Sequence, residues 1–94
     1  MIIFKLKEVQ ARYNVRNVAL AEYLGLKSDA LISEYRSGAK TPKLDRVDRI
    51  MDAILALGNK EKLELYPLSF SDLIEYRPNS AQKSKENQKE STLF

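Results

Sequence analysis

The chain has 94 residues, 44% hydrophobic and 31% charged, with sixteen Lys and Arg against thirteen Asp and Glu for a net charge of +3. That length predicts one domain near the lower end of what buries its own core, leaving no room for a separate catalytic or sensor domain and making help from a second copy of the chain unsurprising. Cysteine and histidine are both absent, which removes disulfides, zinc fingers, imidazole bases and cysteine nucleophiles together.

No apolar run approaches the roughly 20 residues of a membrane span, and the Met1-Ile2-Ile3-Phe4 start is too short for a signal sequence. The expectation is a soluble, cytoplasmic, non-enzymatic protein with no membrane contact, metal or cofactor. The charge is uneven. Residues 1–60 carry eleven Lys and Arg against seven Asp and Glu, whereas residues 61–78 carry two against four. A basic excess in the first part fits contact with phosphates, although mixed charge on helices is more often just a solvated face.

In chain order, Ile2, Leu6, Val9 and Tyr13 repeat at helical spacing and predict a first amphipathic helix with Lys5, Lys7, Glu8 and Arg12 outside. Asn14 to Asn17 form a connector with Val15 pointing inward. Leu20, Ala21 and Leu24 predict a second helix, stopped by Gly25, where a left-handed residue ends a helix without the strain of a β-carbon. Leu26 returns to the core. Ser28 is a suitable N-cap and Asp29 suits the positive end of a helix dipole, so a third helix starts there. Ile32 and Tyr35 give it a buried side, Leu31 widens that side, and Gly38 closes it.

Ser37 to Lys43 read as a loop carrying the cations Lys40 and Lys43, and Thr41-Pro42 as a helix start, because proline at the first position lacks only an amide hydrogen that would be unpaired anyway. Leu44, Val47, Ile50, Met51, Ile54 and Leu57 then make a long apolar stripe ended by Gly58, with Arg46 and Arg49 outward. Asn59 to Pro67 alternate at Leu63 and Leu65, which favours a short edge strand over a ragged extension of the fourth helix. Leu68 to Tyr76, with a serine cap ahead of an apolar run, predict a short fifth helix stopped by Pro78. Its Phe70, Leu73, Ile74 and Tyr76 exceed what one short helix needs for attachment. Packing against the first and fourth helices and a subunit interface are equally good accounts of that surplus. Residues 79–94 are polar, with no apolar residue between Ala81 and Leu93, and predict a disordered tail beyond a domain of residues 1–78.

The segments LAEYLGL, ISEYRSG and KTPKLDRV, within Leu6 to Leu57, resemble the helix-turn-helix repressors of the Cro/CI (XRE-like) family. Alanine at Ala21 falls where the two helices of that motif touch, and a larger side chain would hold them apart. One departure is a turn around Leu26 and Lys27 that is one residue longer than the commonest family spacing. The resemblance implies an all-α, five-helix, lambda-repressor-like domain, to which the residues add the short C-terminal strand above, with the motif at about residues 17–38.

It also implies a reading helix at about residues 28–37 that enters the major groove, where base edges carry a distinctive donor and acceptor pattern. Asp29, Ala30, Ser33 and Glu34 would face bases, while Lys27, Ser28, Arg36, Lys40 and Lys43 would face phosphates and set register. Asn17 would either cap its own helix or meet a phosphate. The implied function is repression of transcription by a homodimer on a pseudo-palindromic operator of double-stranded DNA, as in phages and other mobile elements. Leu63, Leu65, Phe70, Leu73, Ile74 and Tyr76 are the candidate dimer surface. Antitoxins share this fold, so Leu63 to Tyr76 with the tail is alternatively a clamp for a protein partner such as a toxin, and an antirepressor is a further candidate partner. Catalysis has little support, because Asp45 and Asp48 lie on an exposed helix face where pairing with Arg46 and Arg49 explains them.

Overall fold

Side chains set at helical spacing supply most of the interior. Leu6, Val9 and Tyr13 from the first helix, Leu20 and Ala21 from the second, Ile32 and Tyr35 from the third and Val47, Ile50, Ala53 and Ile54 from the fourth are all buried in one cluster with Val15 and Leu73. A computed structural model describes residues 1–78 of the chain, so the tail expected at residues 79–94 lies outside the described residues. The elements in order are β1 (Ile2–Phe4), α1 (Leu6–Tyr13), α2 (Asn17–Tyr23), α3 (Ala30–Ser37), α4 (Leu44–Leu57), α5 (Lys60–Leu65), α6 (Phe70–Leu73) and β2 (Ile74–Tyr76). The described chain is therefore mostly helical, with a small antiparallel sheet rather than the single C-terminal strand expected. No helix among the described residues is long and apolar enough to cross a membrane.

The first departure is at the start. Ile2 does not open a helix but pairs with Tyr76, as Ile3 does with Glu75 and Phe4 with Ile74. Lys5 then breaks the strand and its amide donates to the Leu73 carbonyl at 2.6 Å. The β-branched and aromatic side chains of Ile2, Ile3 and Phe4 suit a pleated surface, and the partner strand that selects this conformation lies some seventy positions along the chain. Phe4 turns inward onto the edge of Tyr35, with ring centroids 6.0 Å apart.

The fourth helix starts later than expected. Lys43 is the extended N-cap and Leu44 the first helical residue, so Pro42 stays in the loop, and the first internal bond runs from the Arg46 amide to the Lys43 carbonyl at 2.9 Å. Leu44 stands beyond the core at that free end and is exposed.

The segment expected as an edge strand is the helix α5. The Asn59 side chain accepts from the Lys62 amide at 3.0 Å and caps it, and Lys, Glu and Leu are all good helix formers. Only its Leu63 packs on the core, and Leu65 is exposed. Tyr13 ties α5 to α1, since its hydroxyl donates to the Tyr66 carbonyl and its carbonyl accepts from the Asn59 amide. Between them sits Gly58, where an added β-carbon would lie 2.7 Å from the Ile54 carbonyl oxygen and 3.1 Å from the Tyr13 β-carbon.

The expected fifth helix is one turn, α6, followed by β2. The Asp72 carboxylate accepts from the Ser69 amide at 2.9 Å, which fixes that turn, and Arg12 approaches Asp72 at 3.5 Å. Ile74 and Tyr76 then leave the helix to pair with β1. Leu73, expected on a dimer surface, is fully buried and belongs to the interior.

Candidate nucleic-acid interface

The crossing of α2 and α3 depends on small and left-handed positions, as the spacing predicts. Ala21 is 3% exposed in the core, its carbonyl accepts from the Leu26 amide at 2.9 Å, and Gly25 has φ +75°. A β-carbon at that φ is strained. The connector runs from Leu24 to Asp29, and α3 begins at Ala30. Ser28 is therefore not the N-cap, although its hydroxyl still accepts from the Ala30 amide at 3.3 Å; Asp29 holds the cap position without a side-chain capping bond. Gly38, at φ +87°, closes α3.

With Ile32 and Tyr35 buried, the outward positions of α3 are Ala30, Ser33 and Ser37, all exposed, and Glu34, partly so. Asp29 is half-buried just ahead of the helix. Glu34 and Lys40 form an ion pair at 3.4 Å. The Glu34 carbonyl also accepts from the amides of Ala39 and Lys40 at 3.0 and 3.3 Å. The loop after α3 is thereby folded back on the helix end, and the Glu34 charge is offset before any partner arrives.

Asn17, expected to cap its helix or meet a phosphate, and Arg36, expected to meet a phosphate, belong to one internal cluster around Gln10. The Arg36 guanidinium donates to the Gln10 side-chain oxygen at 2.7 Å and to the Asn17 side-chain oxygen at 3.4 Å. The Gln10 amide nitrogen donates to Asn17 at 2.9 Å and to the Val15 carbonyl at 3.1 Å. Asn17 is the first residue of α2 and makes no capping bond; Arg16 stands at the cap. A buried amide needs partners, and Gln10, 3% exposed, finds them in the connector after α1, in α2 and in α3. Its position between Val9 and Tyr13 on the buried side of α1 is the signal by which the sequence marks it.

The remaining cations are Lys27 in the α2–α3 turn and Lys43 before α4, both exposed. Arg46, expected outward, is half-buried with its Nη1 buried and without a hydrogen-bond partner. The expected pairing of Asp45 and Asp48 with Arg46 and Arg49 does not form among the described residues, whose ion pairs lie at Lys5–Glu75, Arg12–Asp72, Lys40–Glu34 and Glu75–Arg77. No family model, curated protein or solved structure matches the chain.

Proposed function

We propose that the chain is a sequence-specific DNA-binding repressor that reads an operator as a homodimer through α3. The observation that carries this reading is the outward face of α3. Short side chains at Ala30, Ser33 and Ser37 would let a helix sit close to base edges, and the exposed Lys27 ahead of α3 with Lys40 and Lys43 after it are cations suited to backbone phosphates. Glu34, with its charge offset by Lys40, is the side chain long enough to accept from a cytosine amine. Asn17 and Arg36 act through Gln10 to hold α1, α2 and α3 at a fixed angle. The second copy would be held by exposed apolar groups at the sheet, α5 and α6, namely Ile2, Leu65, Phe70 and Tyr76.

Lys27 tests the reading without touching the packing. Lys27→Ala should weaken binding to all duplexes alike and lower the slope of log affinity against log salt by about 1. An unchanged slope in fluorescence anisotropy would remove the α2–α3 turn from the interface.

A further inference from the structure

Behind the loop that leaves α3, at the N-terminus of α4, lies an open cavity of about 620 Å³. Its size falls in the range of small-molecule pockets. Leu24, Tyr35 and Pro42 supply apolar walls, and four cations, Lys40, Lys43, Arg46 and Arg49, stand around it against a single carboxylate, Asp45. Lys40 is already paired with Glu34. Among the described residues, Lys43, Arg46 and Arg49 form no ion pair.

Gathering cations that repel one another is unfavourable unless an anion joins them. The Arg46 guanidinium adds an independent sign, because its buried Nη1 has no hydrogen-bond partner, and a buried charged donor left unpaired is costly. The helix end adds a third contribution. The first amide of α4 bonded within the helix is that of Arg46, so the preceding amides are free to meet a negative group, which the helix dipole also favours.

We propose that this cavity binds a free small molecule through a phosphate monoester, with Arg46 and Arg49 as its guanidinium partners and Lys43 beside its remaining charge. A monoester phosphate carries nearly two charges near neutral pH, which matches three unpaired cations better than a carboxylate does. A guanidinium fork also fits phosphate geometry. A terminal phosphate can enter the recess lined by Lys43, Arg46 and Arg49, whereas a diester phosphate in a duplex carries one charge and stays on the outer surface. The proposal goes beyond the DNA-binding reading and does not rest on it.

The test uses the full chain without DNA. Amide chemical shifts are followed by NMR during titration with inorganic phosphate and with adenosine monophosphate, each against sodium chloride at matched ionic strength. The expected result is saturable shifts clustered at Thr41 to Arg49, with half-saturation near or below about 1 mM. Arg46→Gln and, separately, Arg49→Gln should each raise that midpoint at least about tenfold with circular dichroism unchanged. Arg49 is exposed, so its variant decides the matter if Arg46→Gln fails to fold. Shifts that track ionic strength alone would overturn the proposal. So would an unchanged midpoint in Arg49→Gln, or a saturable response to unphosphorylated-end duplex DNA and to neither small phosphate.

Discussion

Gln10 is the residue whose role is most sharply defined by its surroundings. It is buried in a helix that otherwise turns Leu6, Val9 and Tyr13 inward, and its amide joins Val15, Asn17 and Arg36. Gln10→Leu keeps the volume and removes those bonds, so it should cost about 1 to 3 kcal/mol, because Arg36 and Asn17 lose a buried partner. Urea unfolding checks this, and a loss below about 0.5 kcal/mol would show that water replaces Gln10 without penalty. Single residues were also where the sequence was least legible. Outward positions on α3 followed from the burial of Ile32 and Tyr35, but whether a polar side chain meets solvent or another side chain depends on distant elements. Arg36 and Asn17 are nineteen positions apart and share Gln10; no local pattern encodes that. Glu34, similarly, is expected to face bases and Lys40 phosphates, and the two pair with each other. Both are substantially exposed, so the pair contributes little to stability and chiefly moderates the charge of α3.

Elements were legible in proportion to their length and to the locality of what holds them. Gly25 and Gly38 end their helices as the sequence predicts, and Val47, Ile50 and Ile54 of the fourth-helix stripe are buried, with Met51 partly so. The three-residue strands were not legible, because β1 and β2 stabilise each other across the whole described chain. At α5, two leucines fitted an alternating pattern by chance, while the helix propensity of its Lys and Glu and the Asn59 cap carried the better signal. Gly58 ends α4 for a reason other than a left-handed turn, since its φ is −72°. It permits α4, α1 and α5 to approach closely. Gly58→Ala should therefore destabilise by about 1 to 3 kcal/mol through overpacking, read as a fall in melting temperature, and an unchanged or raised value would mean that the Tyr13–Asn59 contact yields easily.

The turn α6 gives a pH dependence with a definite sign. Asp72 has its carboxyl held below the ordinary carboxylate value, chiefly by the Ser69 backbone amide; burial opposes this, and the Arg12 charge adds a lesser downward effect. A carboxyl whose pKa is lower folded than unfolded contributes stability above its unfolded value, and that contribution is lost as pH falls through the folded value. Asp72→Asn should thus lower stability by about 1 kcal/mol at pH 7, of the order of a lost cap, and the gap from the native chain should close below about pH 4. Melting temperatures at pH 7 and pH 3 check it. A gap that persists unchanged at pH 3 would assign the cost to packing instead of charge.

At the scale of the whole molecule, a buried core of four helices presents α3 on one side, while a two-stranded sheet joins the chain's first residues to Ile74–Tyr76. Exposed apolar groups sit on that sheet and on α5, and cations gather around α3 and the start of α4. If α3 reads DNA as proposed, a single such helix offers few base contacts, so useful specificity calls for two copies on two half-sites. The most direct measurement is selection of bound duplexes from a random pool by the full chain, followed by sequencing. The account predicts enrichment of a two-fold symmetric motif with half-site centres about 10 base pairs apart or a multiple of this. A pool that stays random through successive rounds, while the protein remains folded by circular dichroism, would contradict it.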